Sequence, residues 1–270
     1  MKPKTPEEFL EFYTRHPWDG WTEPFEIAQD LYYVAGNDWV SSYLLDSGDG
    51  LVIIDVPFQE SLYLLTESIR QLGFDPRDIR MILLSHSHID HCGGLKALAA
   101  YTGAKIWMSR EDWQFINERP ELMHKGKYCC GDFVPDAFYN DETPIKLGRL
   151  SVQTKLSPGH TPGTTSFFFT VGGDGKGERY RCGLHGGMGL NTLNDEYFKQ
   201  SGLPVSLREQ FIKGLKEMEG MEIDITIPSH AGQTQFLELV DDISPERNPF
   251  ADKSKWGNLM RASREAAEKL

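Results

Sequence analysis

His86-Ser87-His88-Ile89-Asp90-His91 is the stretch that decides how this chain is read. It follows the apolar run Met81-Ile82-Leu83-Leu84-Ser85 and precedes Cys92-Gly93-Gly94-Leu95. Three imidazoles and one carboxylate in so short a span are more than folding requires. A merely polar loop at a strand end would leave buried groups unpaired at a cost in stability. His86 and His88 are two apart, so an extended backbone projects both to one side. Asp90 and His91 then open a helical pattern through Leu95, Leu98 and Ala99, whose N-terminus favours an ionised carboxylate. Neutral imidazole with carboxylate suits zinc or a similar first-row divalent ion. The stretch reads as a metal site.

Composition narrows the remaining classes. With 270 residues, 25% charged and 39% apolar, the chain can bury a substantial core of ordinary globular type. A formal net charge of −12 argues against a nucleic-acid partner and against anionic membrane surfaces. The start, Met1-Lys2-Pro3-Lys4-Thr5-Pro6-Glu7-Glu8, lacks the apolar centre of a signal peptide, and no run approaches a membrane-spanning length. Four cysteines, with Cys129 and Cys130 adjacent, do not form a disulfide framework. A reduced, cytoplasmic protein is the expectation.

The order of elements is alternating. Thr5 is placed to cap a helix over Pro6 to His16, ended by Pro17-Trp18-Asp19-Gly20. Strands are expected at Phe25–Gln29, Leu31–Ala35, Val40–Asp46 and Leu51–Asp55, the last two joined by Ser47-Gly48-Asp49-Gly50. A helix over Ser61 to Leu72, the strand Met81–Ser85, a helix Leu95–Tyr101, a strand Lys105–Met108 and a helix from Ser109 to about Asn117 follow. Glu118 to Asp141 has little periodicity but is rich in aromatics, and reads as an active-site lid. Strands at Pro144–Leu147, Ser151–Leu156, Thr165–Val171 and Arg179–Leu184 lead to a helix through Leu207, Phe211, Ile212, Leu215 and Met218 and a strand Asp224–Ile227. The amphipathic end, Ser254 to Leu270, is expected to pack on the core rather than on another copy. Two strand–helix halves without an interdomain linker predict sheets packed face to face with helices outside. Residues 1–270 are read as a single domain with a helical extension at about 1–20, a lid-like insertion at about 118–141 and a C-terminal helix at about 253–270.

Two further histidines stand in comparable settings. His160 lies in Ser157-Pro158-Gly159-His160-Thr161-Pro162-Gly163-Thr164, and His230 in Ile227-Pro228-Ser229-His230-Ala231-Gly232. Each follows a strand-like run, flanked by Pro and Gly that fix a loop. Singly, such a histidine is more often surface decoration; beside the first motif each becomes a candidate ligand.

Together the three motifs resemble the signature of the metallo-β-lactamase superfamily in order and spacing, over about residues 25 to 240. The resemblance implies an α+β fold, a four-layer αββα sandwich with the metal site at one edge of its sheets. It implies that His86, His88 and His160 hold one zinc and that Asp90, His91 and His230 hold a second. Two ions per chain are thus expected, with iron or manganese as the other metals such a site takes. A ligand set of histidine and aspartate without cysteine is most similar to the third subclass of metallo-β-lactamases. Many superfamily hydrolases place a metal-bridging Asp after the strand equivalent to Tyr180–Leu184. Here His185-Gly186-Gly187-Met188-Gly189 occupies that place, with no carboxylate before Asp195, which again favours the third subclass. Asp55 matches a family position that hydrogen-bonds the metal loop, where it would fix an imidazole tautomer.

The implied reaction is metal-assisted hydrolysis. Two zinc ions held there would supply a nucleophile from water for attack on a substrate carbonyl, with Asp90 orienting it and relaying its proton. A β-lactam-like cyclic amide is the substrate that the subclass suggests. Cytoplasmic ester, thioester or lactone hydrolysis, or an iron-dependent sulfur dioxygenase with a mononuclear site, are the alternatives. The partner is a small molecule, and the sequence leaves the oligomeric state open. His185, Met188, Trp39, His124 and Tyr128 are candidate pocket residues; for His185 and Trp39 a structural role is an equal reading. Cys92 is expected to be buried and inert. Cys129-Cys130 reads as surface thiols or a redox pair.

Overall fold

Thr5 opens the first helix, α1 (Pro6–Arg15), with a reciprocal cap: its hydroxyl accepts from Glu8 N while the Glu8 carboxylate accepts from Thr5 N. Strands β1 (Phe25–Ala28), β2 (Leu31–Tyr33), β3 (Tyr43–Asp46) and β4 (Leu51–Ile54) follow and pair antiparallel in that order. Next come α2 (Leu62–Gln71), β5 (Ile79–Leu83), the one-turn α3 (Ile89–Cys92), α4 (Leu95–Thr102), β6 (Lys105–Met108), α5 (Arg110–Glu118) and β7 (Ala137–Phe138). Strands β4 to β7 pair in parallel, which requires the crossovers that these helices occupy. Then β8 (Ile145–Leu147), β9 (Leu150–Leu156), β10 (Thr165–Gly172), β11 (Arg179–Leu184), α6 (Asp195–Ser201), α7 (Ser206–Met218), β12 (Ile225–Thr226) and α8 (Lys253–Ala267) complete the order. The computed structural model describes residues 3, 5–123, 131–173, 178–244 and 247–270. Among the described residues there is a seven-stranded sheet in the order β1 to β7 and a five-stranded sheet in the order β12-β11-β10-β9-β8.

Strand alternation sorts the apolar side chains into layers. Val52 and Ile54 of β4 join Phe167, Phe169, Cys182 and Leu184 in the core between the sheets. Leu51 and Ile53 turn the other way, onto Leu65 and Ile69 of α2, Leu98 of α4 and Phe115 of α5. On the far side Phe168 faces Phe211 and Leu215 of α7 and Trp256 and Met260 of α8. Both faces of both sheets are therefore covered, so central strands read as continuous apolar runs. The result is the αββα sandwich of the α+β class. Trp256 is fully buried and its Nε1 donates to Met218 O at 2.8 Å, which fixes α8 on the core. Among the described residues no helix is long and apolar enough to cross a membrane.

Two local expectations change. The helix drawn from Asp90 onward is broken at Gly93 and Gly94 into α3 and α4. A Cβ on Gly93 would lie 2.7 Å from Ile89 O, and one on Gly94 would lie 2.9 Å from Val56 Cγ1. Close approach to the Val56–Phe58 backbone selects the glycines and interrupts the helix. The 118–141 stretch is also not all lid. After a 3₁₀ turn at Pro120–Met123, β7 extends the first sheet, with Asp136 N donating to Ile106 O and Tyr139 N to Met108 O. These pairings are long-range, so no local periodicity announces them. His124, Tyr128, Cys129 and Cys130 lie outside the described residues.

Candidate metal centre

The candidate ligands gather where β4, β5, β9 and β12 end. Past β5 the chain bends at Ser85 and carries His86 and His88 up to α3, whose N-cap position His88 occupies with an extended backbone; α3 carries Asp90 and His91. His160 lies in the β9–β10 loop, tied across the sheets by Thr165 N donating to Ser85 O at 2.8 Å. His230, beyond β12, forms an antiparallel bridge with Val40, and Ala231 N donates to Trp39 O at 3.0 Å. Residues 86 to 230 of the sequence thus meet at one edge of the sandwich.

They form two adjoining groups. His86, His88 and His160 offer ligand atoms all within 4.8 Å of one another, with His88 Nδ1 3.0 Å from His160 Nε2. In the second group His91 Nε2 lies 3.2 Å from His230 Nε2, and Asp90 Oδ2 lies 3.6 Å from each. A tetrahedral zinc with bonds of about 2.0–2.1 Å separates its ligand atoms by roughly 3.3 Å, so this triangle has the right size. The groups touch through His86, which also comes within 4.8 Å of Asp90 and His91.

Hydrogen bonds aim the ring nitrogens. Asp55 Oδ2 accepts from Ser85 Oγ at 2.6 Å, so Ser85 Oγ accepts from His86 Nδ1 at 3.1 Å. That leaves His86 Nε2 as a bare lone pair, buried and without a hydrogen-bond partner. His91 Nδ1 donates to Asp55 Oδ2 at 2.8 Å and His160 Nδ1 donates to Gly189 O at 2.8 Å. Their Nε2 lone pairs are likewise freed for the cluster. Burial, then the neighbouring imidazoles, holds His86 well below the usual histidine range. Burial pushes His160 down to about 4 and His230 to about 3. Burial also opposes charge on His91, but the Asp90 and Asp55 carboxylates outweigh it and raise the imidazole. Burial likewise opposes charge on Asp90, and the surrounding imidazoles outweigh it and keep the carboxylate ionised. Neutral imidazoles at His86, His160 and His230 with an ionised Asp90 are the protonation states a divalent metal takes. His91, whose proton the two carboxylates favour, would give it up on binding the ion. The residues fit a metal.

The cluster forms the floor of a cavity of about 670 Å³. Phe9 and Leu10 of α1 line it beside Trp39, and Leu122, Met188 and Tyr197 also contribute to the lining. Trp39 stacks on Phe9 at 5.1 Å and Tyr13 at 5.2 Å between ring centroids, and lies 5.3 Å from the His230 ring. Of the candidate pocket residues, Trp39 and Met188 do line the cavity. His185 does not: it is 3% exposed, packs edge-on against Phe211, and burial pushes its imidazole down to about 3. Cys92 is buried with its thiol 3.2 Å from Ser87 O.

The sequence reading missed Asp112. This carboxylate, 1% exposed, accepts from Ser87 N at 2.8 Å, Thr161 Oγ1 at 2.9 Å and Gly163 N at 2.6 Å. Burial raises it to about 6 against the pull of those donors. Its local signal, Ser109-Arg110-Glu111-Asp112, describes only a capped helix start. The part of α1 in walling the cavity was also missed, because Phe9 and Leu10 read as a plain apolar face.

Fold and site together define a metal-dependent hydrolase. The chain belongs to the metallo-beta-lactamase superfamily, whose model matches residues 36–174. It is 33% identical over 129 residues to the hydroxyacylglutathione hydrolase GloC of Haemophilus influenzae, a match spanning 47% of this chain and 58% of that protein. It is 25% identical over 219 residues to an N-acyl homoserine lactonase of Bacillus thuringiensis, covering 70% of this chain and 79% of the lactonase. Its fold is similar to that of BJP-1, a subclass B3 metallo-beta-lactamase of Bradyrhizobium japonicum, with a TM-score of 0.83 at 23% identity over 94% of this chain and 95% of that one.

Proposed function

We propose that the protein is a dizinc hydrolase that opens a carbonyl–heteroatom bond in a small substrate of the β-lactam-like cyclic amide class. The observation that carries this reading is the pair of adjoining ligand groups on the floor of one cavity, His86/His88/His160 and Asp90/His91/His230. Divalent ions held there would polarise a carbonyl and supply a nucleophile from water at neutral pH. The chain's own residues do the rest. Asp90, kept ionised by the imidazoles around it, orients the attacking water, takes its proton and passes it to the departing nitrogen or oxygen. Trp39, Phe9, Leu10 and Met188 hold the apolar part of the substrate and displace water from around the reacting bond. His91 is fixed by Asp55, so that end of the cluster needs no rearrangement before the reaction.

Similarity to a lactonase and to a hydroxyacylglutathione hydrolase supports a second reading, in which the bond opened is a lactone or thioester. One experiment separates the two. Zinc-loaded protein is offered a chromogenic β-lactam, with and without chelator, beside His86→Ala. Chelator-sensitive turnover absent from the variant is the expected result. Two bound zinc ions with no lactam turnover would overturn the amide reading, and lactone and thioester panels would then decide. One bound iron and no zinc would overturn the dizinc reading in favour of a mononuclear oxygenase.

A further inference from the structure

We propose that Asp112 is a positioning residue that sets the spacing between the two loops carrying His86, His88 and His160, and so governs metal affinity at that half of the cluster alone. The inference rests on the dinuclear reading above. Ser87, which donates its backbone N–H to Asp112 Oδ2 at 2.8 Å, sits between the two histidines of the first loop. Thr161, which donates its hydroxyl to the same oxygen at 2.9 Å, directly follows His160. Gly163 N donates to Oδ1 at 2.6 Å. One carboxylate therefore grips the backbone of one loop and both a side chain and the backbone of the other, behind the point where His88 Nδ1 and His160 Nε2 stand 3.0 Å apart.

The grip is rigid on both sides. Asp112 is in the first turn of α5, where its own N–H donates to the capping Ser109 Oγ at 3.1 Å. The helix start favours the carboxylate charge. Thr161 is locked in turn to Thr164, whose hydroxyl oxygen accepts from Thr161 N at 3.0 Å. A Cβ on Gly163 would lie 2.2 Å from Ser109 Oγ and 2.6 Å from Asp112 Oδ1, so the close approach is available to glycine alone. Asp55 holds His91 directly and reaches His86 through Ser85, whereas the pairing of the His86/His88 loop with the His160 loop is braced by Asp112. Asp112 touches no ligand side chain and acts through the loops that carry them.

The test is zinc titration of the full chain against a chromophoric chelator, with the cobalt-substituted protein's visible spectrum as a second readout. Wild type, Asp112→Asn and Asp55→Asn are compared. The amide of Asp112→Asn can no longer accept from all three donors. The expected result is a loss of about 10–100-fold in affinity for one zinc equivalent, the scale seen when groups supporting metal ligands are removed. The other equivalent and its cobalt bands stay unchanged, whereas Asp55→Asn, which loosens His91 directly and His86 through Ser85, weakens both equivalents. Should Asp112→Asn fail to fold, Thr161→Val removes a single donor and is expected to weaken the same equivalent several-fold. Both equivalents binding as in wild type, with only the unfolding midpoint lowered, would overturn the inference, as would equal weakening of the two. Fewer than two equivalents on the wild-type protein would overturn the dinuclear reading itself, a result distinct from either.

Discussion

The Asp55 carboxylate stands 2.8 Å from His91 Nδ1 and also takes both the backbone N–H and the hydroxyl of Ser85, at 2.7 and 2.6 Å. Asp55 adopts φ +60°, a conformation that Asp tolerates better than most residues. Its two oxygens thus fix one candidate ligand directly and a second, His86, through Ser85. The strand end β4 supplies the acid and the strand end β5 supplies its partners.

Replacing Asp55 by Ala would leave those buried donors unpaired. We expect zinc affinity to fall by about 10–100-fold, and the metal-free protein to lose about 1–3 kcal/mol for each donor that water cannot reach. Competition with a chelator measures the first and denaturant unfolding the second. Wild-type affinity in Asp55→Ala would show that His91 keeps its orientation without this bond.

Trp39 ties α1 to the cavity through Phe9 and Tyr13 on one side and Phe58, at 6.0 Å, on another. Trp39→Ala is expected to cost about 3 kcal/mol of stability and to raise KM more than it lowers kcat, since the indole borders substrate rather than the reacting bond. Trp39→Phe should recover most of both. Steady-state kinetics beside thermal unfolding checks the split.

His185 provides a pH signature away from the cluster. Burial holds its folded-state imidazole at about 3, below the ordinary 6.5, so the unfolded chain binds this proton first. Its contribution to stability is complete above pH 6.5 and is lost as the pH falls toward 3. Between pH 7 and 5 the loss is about 2 kcal/mol, at about 1.4 kcal/mol per unit. Urea midpoints of the chelated protein at both pH values, for wild type and His185→Gln, isolate the effect. Equal losses in the two proteins would refute it.

Much of this molecule is legible in the chain, and the part that is not has a common cause. His86, His88, Asp90 and His91 stand out because no folding requirement explains them, and Ser47-Gly48-Asp49-Gly50 announces its turn through local chemistry. Asp112 is invisible by contrast. An acid in the first turn of a helix is ordinary, and its partners Ser87, Thr161 and Gly163 lie 25, 49 and 51 residues away. Strand β7 is hidden for the same reason, since two residues have no period and only pairing with β6 defines them. His185 looks like a pocket residue because it neighbours the cavity in sequence, yet Phe211 of α7 covers it.

The glycines beside His160 limit how this chain can be remade. A Cβ on Gly187 would stand 2.8 Å from His160 Cδ2, and one on Gly189 would stand 2.7 Å from its Cε1. The imidazole is held in place through its Nδ1 by Thr192 and the Gly189 carbonyl. Any side chain introduced at 187 or 189 therefore displaces the ring before it can reach a metal. A carboxylate bridge between two ions cannot be acquired at either position by one codon change; the loop after β9 would have to retreat first.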